Sequence, residues 1–272
     1  MANYHVTIAV RGRQALARSE AERRDIVRNV ARVGREGLLA FGLVDDHFHA
    51  AVRGEAAGWC AEGLRRALAA HRRDLELKRP HIEPVGSRAY LGWLVRYVIL
   101  QPRKHGLGAS AALWTGSCFQ DLVGARMLSG FCLAPLRNEL PRLRLQHLFE
   151  ELGLGSAPLV PAGDRELGRV GPARLAELSA GAYAVGPALN GRAAPVVAAR
   201  ALAVHAARVA GLPISSLTRF LGVGPRAIRE LARRAVPPRA VSTLRRRLAL
   251  EERVLERPQV PANPTSVAVG SR

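Results

Sequence analysis

The stretch that most constrains the fold is 38–52, LLAFGLVDDHFHAAV, in which two aspartates separate two short apolar runs. Aspartate favours turns because its side chain hydrogen-bonds nearby backbone, and apolar runs of this length bounded by turn residues read as strands. The segment therefore predicts a β-hairpin turning at Asp45-Asp46. Successive side chains of a strand point to opposite faces, so His47 and His49 share one face. Two neutral imidazoles on one face supply half of a metal site, although a pattern as short as His-x-His also arises by chance.

The flanking chain supplies partners for this hairpin. In YHVTIAV (4–10), Tyr4, Val6, Ile8 and Val10 alternate with His5, Thr7 and Ala9, the pattern of a half-buried strand in which His5 reads as structural. Ser19 and Glu22 fit a capping box opening a helix over 20–36, with Ile26, Val27, Val30 and Val33 inward and Gly37 ending it. A second helix fits 59–72. A short strand at His81–Val85 precedes a third helix over 88–101, which Ser87 caps and Pro102 helps to end. The order β-α-β-β-α-β predicts an α+β fold, a ferredoxin-like or RRM-like antiparallel sheet with helices on one face.

Beyond it, 103–152 reads as helical and irregular, with Trp114 and Phe119 as packing anchors. Glycine and proline then cluster over 153–195 and mark a hinge. In ISSLTRFLGVGPRAIRELARR a helix over 214–221, the turn GVG and a helix opening at Pro225 have the cadence of a helix-turn-helix. The expected division is a domain at 1–125, a helical extension and hinge at 126–195, a helix-turn-helix domain at 196–256 and a disordered tail at 257–272.

Charge narrows the function classes. The chain carries 41 basic and 22 acidic residues, a net +19, and a field of that sign favours polyanions. Residues 192–255 hold 13 arginines and 3 glutamates, and Arg226, Arg229 and Arg233 share one face of the second helix of the turn motif, where duplex DNA would meet them. No apolar run reaches the length of about 18 residues that a membrane span requires, and MANYHVTIAVRGRQ lacks the features of a signal peptide, so the expectation is a cytoplasmic protein without a membrane partner. Cys60, Cys118 and Cys132 have no paired spacing and are expected to be reduced and buried.

The third helix, SRAYLGWLVRYVILQP, aligns Tyr90, Leu94, Tyr97 and Gln101 in a narrow stripe beside the apolar Leu91, Val95, Val98 and Ile99. Packed on the sheet, it would bring the Gln101 amide beside His47 and His49, and the Tyr97 hydroxyl beside a bound ion. Tyr90 lacks a glutamine four residues on and is the weaker nucleophile candidate. Arg96, Arg103 and Lys104 flank the helix and either meet phosphates or are solvated surface charges.

Over residues 3–125 the chain resembles the single-tyrosine HUH transposases, most closely their REP-associated branch. The residues that carry the likeness are YHVTIAVRGRQ, DDHFHAAV and AYLGWLVRYVILQPRKHGL followed by ALWTGSCFQDLVG. It departs from the family pattern at Asp45-Asp46 and at Gln101, where asparagine is commoner. The resemblance implies Tyr97 as the nucleophile, a Mg²⁺ or Mn²⁺ ion on His47, His49 and Gln101, and cleavage and rejoining of single-stranded, hairpin-containing DNA through a 5′-phosphotyrosine. The C-terminal segment is similar to the DNA-binding domain of bacterial replication initiators, which implies duplex DNA as a second partner. The alternative is a transposase-derived DNA-binding regulator without catalysis. Monomer and homodimer both stay open.

Overall fold

The structure, a computed structural model, describes residues 2–256 except 13, 55, 56, 108 and 109. The tail expected at 257–272 lies outside the described residues. The alternating segments form four strands, β1 (Asn3–Ala9), β2 (Leu38–Leu43), β3 (His47–Arg53) and β4 (His81–Val85). They pair antiparallel in the spatial order β2-β3-β1-β4. In the β1–β3 register Val6 faces Ala50 and Ile8 faces Phe48, all buried, while Thr7 faces His49. One face of the sheet is thus apolar and the other carries the histidines.

Three helices sandwich this sheet: α1 (Glu20–Gly34), α2 (Ala57–Ala69) and α3 (Arg88–Lys104). The Ser19 hydroxyl accepts from the Glu22 N–H at 3.1 Å, as the capping signal predicts. Val33, expected inward, is 37% exposed; it lies over Gly63 of α2, and glycine has no side chain to cover it. α1 packs along α2 on the apolar face, whereas α3 lies against β2 and β3 on the histidine face. The expectation of helices on one face only is therefore incorrect. α3 has its own buried stripe of Leu91, Leu94, Val95, Val98 and Ile99, and the uncovered side of the sheet is where it can be buried.

Pro102 does not stop α3 at 101; the helix runs on to Lys104. Proline removes the hydrogen bond to the Val98 carbonyl, but Gln101 and Pro102 are both buried, and packing holds the last turn in place. That same carbonyl meets Gly42, where an added Cβ would lie 2.6 Å from the Val98 oxygen. Gly42 pairs with His49, so the glycine in LLAFGLV lets α3 approach the sheet beside the histidine.

The rest of the described chain is helical: α4 (Phe119–Leu122), α5 (Ala134–Glu139), α6 (Leu145–Glu151), α7 (Asp164–Arg169), α8 (Pro172–Ala182), α9 (Ala194–Val209), α10 (Thr218–Leu221), α11 (Pro225–Arg233) and α12 (Pro238–Leu255). Trp114 donates its indole N–H to the Leu43 carbonyl at 2.7 Å, and Phe119 is fully buried. Buried Arg126 is held by Asp121 and by the carbonyls of Thr115 and Ser117. A second apolar core gathers Leu167, Leu175, Leu178, Leu202, Leu217, Leu221, Ile228 and Leu244. The stretch 153–195, read as a hinge, thus contributes two helices and part of that core. Its leucines at three-residue spacing form an apolar face between the Gly/Pro punctuation. α12 spans both cores, with Leu244 and Leu248 in the second and Leu250 and Val254 in the first.

Gly222 adopts a left-handed φ of 59° after α10, and Pro225 opens α11. All three cysteines are free, but only Cys118 is buried; Cys60 is half-buried and Cys132 exposed. Among the described residues no helix is long and apolar enough to cross a membrane.

Candidate active site

β1 and β3 build the floor of the site. His49 is 5% exposed, and its Nδ1 lies 3.1 Å from His5 Nε2 and 3.2 Å from Thr7 Oγ1. Its Nε2 is buried with no hydrogen-bond partner, an orphan that native interiors rarely leave. His47 Nδ1 is engaged by the Asp46 carboxylate at 2.6 Å. Engagement of Nδ1 fixes the ring and leaves Nε2 as the nitrogen for a ligand, the arrangement of metal-ligating histidines.

Burial, reinforced by the nearby His47, His5, His105 and Lys104, pushes the His49 pKa down to about 3, so the ring is neutral with a free lone pair. Burial also lowers His5, against the pull of Glu83, whose carboxylate stands 3.6 Å from its Nδ1. His105 is lowered by burial as well, and its ring centroid lies 5.1 Å from that of His47. The hydrogen bond with His47 lowers Asp46.

α3 forms the wall. The Tyr97 ring stands edge-on to His49, with centroids 5.3 Å apart, and to His5 at 6.2 Å. Lys104 Nζ lies 4.4 Å from the centre of the same ring. Gln101, expected on a polar edge, is 2% exposed and donates Nε2 to the Tyr97 carbonyl at 3.2 Å, which leaves Oε1 for a ligand. Among the described residues no three His, Cys, Asp or Glu side chains form a metal-binding group. The donor set on offer is two imidazoles and one amide oxygen. The orphaned His49 Nε2 fits a divalent ion that takes its remaining ligands from substrate and water.

The other residues singled out in the sequence divide. Lys104 joins the site. Arg96 is ion-paired with Glu151 on α6, and Arg103 donates to the Glu151 carbonyl, so both are turned toward protein. Arg226, Arg229 and Arg233 are exposed on α11, Arg226 beside Glu230 at 3.3 Å. Tyr90 stacks on Trp93, not on the histidines. Sequence reasoning read His5 as structural and passed over Thr7, His105 and Trp93. For His5 and Thr7 the signal was present, since their parity in β1 is that of the residue facing His49, but it could be used only once the register was known.

No protein-family model and no curated protein matches the chain. A solved structure of a REP-associated tyrosine transposase bound to a REP hairpin is similar at 14% identity with a TM-score of 0.37, over 44% of this chain and 78% of that one. A likeness at that level bears on neither chemistry nor partners, which rest on the geometry of the residues.

Proposed function

We propose that the protein cleaves and rejoins single-stranded DNA, with Tyr97 as nucleophile. The observation that carries this reading is the Tyr97 ring set against His49, whose buried Nε2 has no partner, on the sheet face closed by α3. The phenolic oxygen forms a bond to the scissile phosphorus, the bond from phosphorus to the 3′ oxygen breaks, and that oxygen leaves as a 3′-OH after taking a proton. The 5′-phosphotyrosine keeps the bond energy, so the 3′-OH of another strand reverses the step and joins the strands without ATP.

His47, His49 and Gln101 would hold Mg²⁺ or Mn²⁺, which supplies Lewis-acid polarisation of a phosphate oxygen. His5 and Thr7 hold the His49 ring through Nδ1, and Asp46 does the same for His47. Trp93 and Lys104 flank the Tyr97 ring and restrict its orientation.

In this reading residues 1–125 are a catalytic domain of ferredoxin-like arrangement, supported by the element order and by the strand order β2-β3-β1-β4. Residues 126–195 extend it, and 196–256 form a helix-turn-helix domain that lays α11 on duplex DNA, supported by the left-handed turn at Gly222 and the exposed Arg226, Arg229 and Arg233. The preferred single strand contains a hairpin.

The test incubates the protein with labelled single-stranded hairpin oligonucleotides and Mg²⁺ or Mn²⁺. A protein–DNA band that survives denaturing electrophoresis is expected, and Tyr97→Phe, which keeps the ring and removes the oxygen, abolishes it. Binding without any adduct in the wild type would instead make the protein a DNA-binding regulator.

A further inference from the structure

We propose that the outer part of α3 carries a base-stacking subsite, in which the open face of Tyr90, backed by Trp93, receives an unpaired nucleobase of the strand that Tyr97 attacks. The inference rests on the reading of the protein as a single-strand DNA enzyme and deepens it.

Tyr90, Trp93 and Tyr97 follow one another at spacings of three and four, so their side chains climb one face of the helix. Their rings are nearly parallel: Tyr90 and Trp93 lie 5.4 Å apart at 10°, Trp93 and Tyr97 5.1 Å apart at 19°. The ladder therefore runs without a break from solvent to the proposed nucleophile, which touches the buried His49 with its unpartnered Nε2. Its outer rungs are open, Trp93 being 50% and Tyr90 36% exposed.

Charge selects the occupant. Lys104, at the end of α3, lies over the Tyr97 ring and, among the described residues, is in no ion pair. A cation on the inner rung of a row of flat π faces, in a chain of net charge +19, matches a strand of bases joined by phosphates. A duplex keeps its bases stacked on each other and offers no free face, so the subsite distinguishes single-stranded from double-stranded DNA.

The experiment needs no cleavage. The full chain, without divalent metal, is titrated with an oligothymidylate and, in parallel, with its duplex on oligoadenylate, while tryptophan emission and affinity are recorded. A base stacked on the Tyr90–Trp93 ladder quenches the emission of the wild type, and in Trp93→Phe that quench disappears while single-strand affinity falls no more than about threefold, because phenylalanine still backs the Tyr90 ring. Trp93→Ala lowers single-strand affinity about tenfold or more and leaves duplex affinity unchanged.

Equal losses on single strand and duplex, or an unchanged quench in Trp93→Phe, would overturn the subsite. So would a failure of the wild type to bind oligothymidylate, or a change in emission that follows protein concentration without DNA and marks Trp93 as a contact between two copies. Quenching and the tenfold loss in a protein that forms no covalent adduct would leave the subsite standing and remove only the cleavage chemistry.

Discussion

The two faces of the sheet are built from alternate residues of the same strands, yet they do different work. On one, Val6, Ile8, Phe48 and Ala50 are sealed under α1 and α2 with no polar side chain among them. On the other, His5, Thr7 and His49 hydrogen-bond to one another and His47 to Asp46, beneath a helix that brings Tyr97 and Gln101. A strand has a period of two, so a chain can assign stability to one set of alternate positions and chemistry to the other without either disturbing its neighbour. The contrast shows where the molecule tolerates a change and where it does not.

The largest effect should come from the apolar face. Phe48→Ala leaves a cavity in a sealed core and should destabilise the protein by about 3–5 kcal/mol, read from chemical denaturation. His49→Gln, one residue away, keeps volume and polarity; its stability should stay within about 1.5 kcal/mol of wild type while covalent adduct formation collapses. Equal destabilisation by both would mean that the histidine face is also a structural core.

Gly42→Ala probes the seam between the faces. The added Cβ meets the Val98 carbonyl at 2.6 Å, so α3 must move outward at a cost of about 1–3 kcal/mol, and adduct formation should fall because Tyr97 moves with it. Unchanged adduct yield would show that the height of α3 above the sheet does not position the tyrosine.

Acid sharpens the contrast further in metal-free protein. His49 titrates at about 3 in the folded chain against an ordinary value of 6.5, so between these values the unfolded chain binds a proton that the folded one does not. Its contribution is complete above pH 6.5 and is lost as pH falls toward 3, by at most about 1.4 kcal/mol per pH unit. His49→Gln should flatten this slope and Ile8→Val should leave it unchanged.

The smallest effect lies far from the sheet. Arg229→Ala and Arg233→Ala should each weaken duplex binding and reduce the slope of log affinity against log salt by roughly 0.9 for each phosphate left without its arginine. Covalent adduct formation on single strands should stay as in the wild type, as measured on the same hairpin oligonucleotides.

The strands, the hairpin at Asp45-Asp46 and the first turns of α1 and α3 were legible because each rests on a local signal: alternation, a turn residue or a capping serine. Tyr97 and Gln101 were legible as a pair because a four-residue spacing on a helix brings the second side chain back to the first. The errors were equally physical. Pro102 read as a stop because the restriction it imposes is local, while the burial that overrides it is not. The region 153–195 read as a hinge because Gly and Pro mark every break, whereas Leu175 and Leu178 find their core only when α9 and α12 pack against them.

The periodicities, the His47–His49 pair and the spacing from Tyr97 to Gln101 are fixed by bonds and dihedrals within a few residues and are therefore written in the order of the amino acids. It is long-range packing that sets His5 and Thr7 beside His49, brings His105 to His47, lets Trp93 extend the Tyr97 ring toward solvent, and lets Glu151 draw Arg96 and Arg103 onto α6. Most of those contacts join residues distant in the chain, so they depend on strand register and on which face each helix covers. Even the Trp93–Tyr97 contact depends on α3 burying its aliphatic stripe against the sheet and leaving the aromatic one outside.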